Sequence, residues 1–315
     1  MTKSPAGIET RALRREFVDK QKRSRVAVAG IDLTVGRGEV VSILGPNGAG
    51  KTTTVRMLTG MLRPSSGSAS VGGYDIVRQR RQAAFACGSS LGGDSGLYPR
   101  LTALQNLTFF GLMYGLRGRP LTARSLTLLD QVDLADRAGD PVATFSRGMK
   151  QRLHLARALL QDPAVLILDE PSAGLDPQSA AAMRRLVAGL ASAGRSILLT
   201  THDMREAEEL SHRVVLMKAG AVHSEASPAQ LRVRAAERLG HTVEIVWSDE
   251  FADHTEVAEC PSLLSLSHEQ GVTRLRVRSG AVAVQWALER FGSRAANISV
   301  TSPTLEEVFL EMAGA

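Results

Sequence analysis

Gly45-Pro46-Asn47-Gly48-Ala49-Gly50-Lys51-Thr52 decides how the rest of the chain is read. It fits the pattern G-x-x-x-x-G-K-[ST]; the apolar run Val41-Ser42-Ile43-Leu44 precedes it as a buried strand, and Thr53-Thr54-Val55-Arg56-Met57-Leu58 follows with helical character. Glycines without a Cβ let backbone N–H groups curl around an anion, and the following helix points its positive end at the same place. Lys51 adds a mobile positive charge suited to β and γ phosphates, and the Thr52 hydroxyl is suited to magnesium. Gly45 through Thr52 is therefore a nucleotide-phosphate site.

A second constellation lies downstream. Val165-Leu166-Ile167-Leu168-Asp169-Glu170 is an apolar strand ending in two carboxylates, and the carboxyl end of a parallel strand faces the crevice where ligands bind. Asp169 is placed to hold magnesium through water, and Glu170 to polarise an attacking water. On its own such a strand end is as readily a solvated edge; downstream of a phosphate loop it becomes specific. About twenty residues earlier stands Phe145-Ser146-Arg147-Gly148-Met149-Lys150-Gln151, where Ser146 caps a helix expected to run to Gln161. Asp176-Pro177 starts another helix, and Asp203 with Glu206 reads as a capping box for the next.

The order of elements predicts an α/β fold: a P-loop nucleotide-binding domain with a mainly parallel sheet, an antiparallel β subdomain and a helical insertion, followed by a small α+β domain. Residues 1–10 read as a flexible leader, 11–225 as the nucleotide domain with the insertion at about 84–160, and 226–315 as the accessory domain. Within the insertion Leu104 to Tyr114 and Ser125 to Val132 have helical spacing, separated by a loop from Gly115 to Pro120. In the accessory domain Thr242 to Trp247, Thr273 to Arg278 and Asn297 to Thr301 read as strands, and Val282 to Phe291 as a helix. His241, His254 and His268 there lack metal-ligand spacing.

Composition narrows the class. No apolar run reaches the roughly 18 residues of a membrane span, and the start lacks the apolar core of a signal peptide, so a cytosolic protein is expected. Two cysteines, Cys87 and Cys260, are too few for a disulfide framework or a zinc cluster. The net charge of +6 is concentrated at the amino end, where residues 1–25 hold eight basic against three acidic side chains. Such a segment could touch anionic lipid or nucleic acid; a solvated basic edge is the simpler reading.

Taken together the motifs resemble those of the ATP-binding subunit of an ABC transporter: the phosphate loop, Ser146-x-Gly148 before Asp169-Glu170, Ser172-Ala173-Gly174-Leu175-Asp176, and His202 after the next apolar run. The resemblance covers residues 11 to about 225, and Leu305-Glu306-Glu307-Val308-Phe309-Leu310 is similar to the ending of a subgroup of drug, antibiotic or ion exporters. It implies that Phe17 stacks on adenine and that Gly45 to Thr53 bind the phosphates of ATP with magnesium. It further implies that Ser146, Arg147, Gly148 and Met149 meet the γ-phosphate held by a second copy of the chain. Asp176 would lie at that dimer interface, and His202 would hold the γ-phosphate and the Glu170 water. The partners implied are a second copy and a separate membrane permease at the cytoplasmic face, with no nucleic acid; a soluble ABC-type ATPase of ribosomes or DNA is the alternative. Segment Leu91 to Thr102 would pass motion to the permease. Arg147 and Met149 depart from the commonest signature, where glycine and glutamine stand, and the family's magnesium-ligating glutamine is replaced by Gly93, with Asp94 next to it as a possible substitute ligand.

Overall fold

The computed structural model describes residues 7–18, 21, 23–91, 96–248 and 255–314. The chain divides into two compact units, Met1–Glu225 and Ala226–Ala315. In chain order the first contains β1 (Ile8–Val18), β2 (Ser24–Val35), β3 (Val40–Leu44), α1 (Lys51–Leu58), β4 (Ser66–Val71), β5 (Tyr74–Asp75), α2 (Arg80–Ala86) and β6 (Cys87–Ser90). It continues through α3 (Ala103–Met113), α4 (Gly118–Gln131), α5 (Arg147–Ala158), β7 (Val165–Asp169), α6 (Pro177–Ser192), β8 (Ser196–Thr201), α7 (Met204–Leu210), β9 (Arg213–Lys218) and β10 (Ala221–Ala226).

The central sheet has the order β10-β9-β3-β8-β7-β6, and its β9-β3-β8-β7-β6 pairings are parallel. Within it β3, β7, β8 and β9 are short, largely apolar runs because both faces are covered. Alternation along each strand decides which core a side chain joins: Leu166 and Leu168 pack with Leu107, Leu128 and Leu153, whereas Val165 and Ile167 pack with Ile43, Val55 and Ile31. The second core lies against an antiparallel sheet of order β2-β1-β4-β5. Parallel strands ending side by side put Leu44, Asp169 and Thr201 at one edge, where the loops that follow them carry the chemistry.

Four expectations need correction. The leader does not extend to residue 10: β1 starts at Ile8, whose side chain is fully buried, and Thr10 Oγ1 donates to the Ile31 carbonyl. The helical insertion does not begin at 84: α2 ends at Ala86, and β6 that follows, whose sequence Cys-Gly-Ser-Ser carries no apolar run that would announce it, is a strand of the central sheet paired to β7. The loop expected up to Pro120 gives way to α4 at Gly118, since a proline in the first turn of a helix leaves no intrahelical bond unmade. The helix behind Ser146 stops at Ala158 rather than Gln161.

The second unit holds α8 (Pro228–Leu239), β11 (His241–Trp247), α9 (Thr255–Ala258), β12 (Leu263–Glu269), β13 (Val272–Val277), α10 (Gly280–Phe291), β14 (Ala295–Thr301) and α11 (Leu305–Gly314). Strand order β12-β13-β11-β14 and the β-α-β-β-α-β succession from β11 give a ferredoxin-like sheet. Val243, Ile245, Leu275 and Val277 bury one face with Ala283, Ala287 and Phe291 of α10. β12 is the strand that the sequence reading did not find; its mixed run Leu-Leu-Ser-Leu-Ser-His-Glu is mostly half-exposed or exposed, as suits a sheet edge.

Candidate nucleotide site

The phosphate loop joins β3 to α1. Gly50 caps the helix with φ of 105°, a left-handed conformation, and a Cβ there would stand 2.6 Å from the Ala27 carbonyl oxygen, so only glycine brings the loop this close to β2. Ala49 N donates to Pro46 O at 3.1 Å, and the Ala49 carbonyl accepts from Gly220 N at 3.0 Å, which ties the loop to the turn after β9. The buried Lys51 ammonium donates to the Gly45 carbonyl at 2.6 Å and more weakly to that of Pro46 at 3.3 Å. Burial holds its pKa below the ordinary lysine value, and the nearby charges of Glu170 and Asp169 work in the opposite direction.

Phe17, Arg25, Ala27, Pro46 to Thr53 and Glu170 line one open cleft of about 320 Å³. Phe17, at the end of β1, is thus brought to the phosphate loop, with the Arg15 guanidinium 4.5 Å from its ring centroid on one face. Arg25 was not singled out from the sequence; its alternation with Ala27 along β2 is the signal that both side chains share this side.

At the end of β7 the Asp169 carboxylate is buried and accepts from the Thr200 hydroxyl of neighbouring β8. Glu170 follows with φ of 50°, an uncommon conformation for a residue with a Cβ, and its N–H donates to the Thr200 carbonyl at 3.0 Å. Its carboxylate Oε1 lies 3.4 Å from Nδ1 of the exposed His202. A second cleft, of about 290 Å³, begins at Glu170 and runs along Ser172 to Leu175, His202 and Glu206. The expected capping box at Asp203 is only half made: Asp203 accepts from Arg205 N and Glu206 N, but the buried Glu206 carboxyl instead accepts from the Ser172 hydroxyl at 2.5 Å. Burial raises the Glu206 pKa above the usual carboxylate range, opposed by the Ser172 hydrogen bond.

The Ser146 to Met149 stretch does not line the phosphate-loop cleft of its own chain. Ser146 caps α5 by accepting from Met149 N at 3.2 Å, and Gly148 is buried against Ser179. The Arg147 guanidinium lies over Gly174. Asp176 caps α6 by accepting from Ser179 N at 3.0 Å, and the Ser179 hydrogen bonds hold its carboxyl below the usual range. Gly93 and Asp94 lie outside the described residues.

Among the described residues no group of three or more His, Cys, Asp and Glu could hold a metal by itself. A hydroxyl at Thr52 and a single buried carboxylate at Asp169 fit a magnesium ion that takes its remaining oxygens from phosphates and water.

The model of the ABC transporter domain matches residues 28–173. A daunorubicin resistance ATP-binding protein of Streptomyces coeruleorubidus is 37% identical over 304 residues, covering 94% of each chain. A Nod factor export ATP-binding protein of Burkholderia lata is 36% identical over 308 residues, covering 94% of this chain and 95% of its own. Among solved structures a dimeric bacterial ABC transporter cassette superposes with a TM-score of 0.63 at 25% identity, over 70% of this chain and 98% of that one. With a phosphate loop, a strand-end Asp-Glu pair and relatives alike over nearly their whole length, the chain belongs to the ABC transporter family, as an ATP-binding subunit whose ATPase activity is coupled to transport.

Proposed function

We propose that two copies of the chain sandwich two ATP molecules and drive a separate membrane permease that exports a drug, antibiotic or ion. The observation that carries this reading is the position of Glu170, which lines both the phosphate-loop cleft and the adjoining cleft and has His202 at 3.4 Å. In this reading the loop from Gly45 to Thr53 binds the phosphates, Lys51 leaves its carbonyl partners for the β and γ phosphates, and adenine stacks on the Phe17 face that Arg15 does not cover. Glu170 takes the proton of the attacking water while His202 holds the carboxylate and the γ-phosphate in register. Thr52 and Asp169 hold magnesium, which when bound offsets the charge of the β and γ phosphates.

Ser146, Arg147, Gly148 and Met149 stand apart from their own chain's cleft, which supports their serving the nucleotide of the second copy, with Asp176 at the interface. Among the described residues no helix is long and apolar enough to cross a membrane, so the transport path is assigned to the separate permease. The relatives' names support export, and in this reading the protein works at the cytoplasmic face of the membrane.

The test is an affinity pull-down of the tagged protein from detergent-solubilised native membranes, with retained partners identified by mass spectrometry. A multi-span membrane protein recovered in near-equal amount is the expected result. Ribosomes or DNA-bound proteins without a membrane partner would overturn the reading in favour of a soluble ATPase.

A further inference from the structure

The charge balance of the cleft leaves a role open. A nucleoside triphosphate brings three to four negative charges to a site whose buried cation, Lys51, already faces the carboxylates of Glu170 and Asp169. Among the described residues that line this cleft, Arg25 is the other cation. Its place is fixed by the register of β1 and β2, where Arg25 is directly opposite Phe17, so the two side chains stand next to each other on one side of the antiparallel pair. The guanidinium reaches the phosphate loop: its Nη2 lies 4.0 Å from where a Cβ of Gly48 would be, beside a residue with φ of 83° in the exposed part of the loop.

We propose that Arg25 is a second cationic ligand of the nucleotide phosphates, paired across the strands with the residue that stacks on the base. The inference rests on the ATP-binding reading of the cleft. One strand pair then supplies recognition of both ends of the ligand, Phe17 for the apolar ring and Arg25 for the anionic tail. A guanidinium suits this task because its donors form a planar fork that matches phosphate oxygens. Since Arg25 is exposed, water and salt weaken its contribution, which is therefore smaller than that of Lys51 and dependent on ionic strength.

The experiment is isothermal titration of the full-length chain with ADP at low and high salt, using wild type, Arg25→Gln, Arg25→Lys and Lys51→Ala. Arg25→Gln is expected to weaken ADP binding by about three- to ten-fold at low salt and to flatten the salt dependence. Arg25→Lys should restore part of the loss, and in steady-state turnover the effect of Arg25→Gln should fall on KM for ATP more than on kcat. Equal affinities of Arg25→Gln and wild type would overturn the proposal, as would a loss that is unchanged at high salt. The Lys51→Ala arm separates the two readings. If wild type binds ADP and Lys51→Ala does not, the cleft is the nucleotide site whatever Arg25 does; if wild type does not bind, the reading of the cleft itself fails.

Discussion

His202 Nδ1 lies 3.4 Å from Glu170 Oε1, across the ends of the paired strands β7 and β8. The Glu170 backbone is held by its N–H bond to the Thr200 carbonyl, and its carboxylate has the imidazole at the start of the next loop as a neighbour. Replacing Glu170 by Gln keeps shape and hydrogen bonding but removes the group that accepts the proton. ATP turnover of Glu170→Gln is expected to fall by about a hundred-fold or more, with ATP binding retained and an ATP-bound dimer accumulating. Size-exclusion chromatography in ATP, next to a phosphate-release assay, checks this; near-normal turnover would remove Glu170 from its role.

Thr200 holds the catalytic edge of β7 through three contacts: its hydroxyl donates to the Asp169 carboxylate and accepts from Glu170 N, and its carbonyl accepts from the same N–H. Thr200→Val keeps the volume and the carbonyl and deletes the hydroxyl, which leaves a buried carboxylate short of one donor. The expected cost is about 1–3 kcal/mol of stability, with reduced ATPase activity. Urea unfolding together with turnover at saturating magnesium tests the point. A variant as stable and active as wild type would mean that Asp169 does not depend on this donor.

Much of this region can be read in the sequence because motif chemistry and strand periodicity act locally. The phosphate loop, Asp169-Glu170 and the Ser146 and Asp176 caps each follow from residues within a few positions of one another. Pairing across the chain is not legible in the same way. Glu206 fits a capping box at Asp203 by spacing, yet its carboxyl is drawn to the Ser172 hydroxyl, 34 positions away, because burial leaves it needing a donor. Arg25 reads as one more charge in a basic segment until the β1-β2 register puts it opposite Phe17. β6 is invisible for a similar reason, since four small and polar residues become a strand only beside β7.

The buried Glu206 gives the first unit a pH signature. Its native pKa is raised, so above the ordinary glutamate value the native state retains a proton that the unfolded chain has released. The stabilisation is fully present below the unfolded-state pKa and is lost as pH rises through the higher native value. Stability measured across this window should therefore decline with pH in wild type through this group, and Glu206→Gln, which cannot ionise, should lack that component. Chemical denaturation of the two proteins at a series of pH values compares them, and parallel profiles would show that Glu206 carries no shifted proton.

Arg147 and Gly174 connect the start of α5 to the loop before α6. The guanidinium occupies the space where a side chain at 174 would begin, with Nη1 2.5 Å from an ideal Cβ, and Gly174 has φ of +67°. Gly174→Ala therefore meets a left-handed backbone that costs an L-residue about 1–2 kcal/mol and, as a smaller cost, must displace the flexible end of the Arg147 side chain. Turnover and thermal stability should both fall in Gly174→Ala. In Arg147→Gly/Gly174→Ala that displacement is no longer needed and the backbone cost remains, so stability should recover in part relative to Gly174→Ala. The comparison uses Arg147→Gly alone as its reference, because that change also removes a cation from the stretch proposed to meet the second copy's nucleotide. If Gly174→Ala is equally destabilising with and without Arg147, the two residues do not share this space, and the signature helix is not coupled to the loop through them.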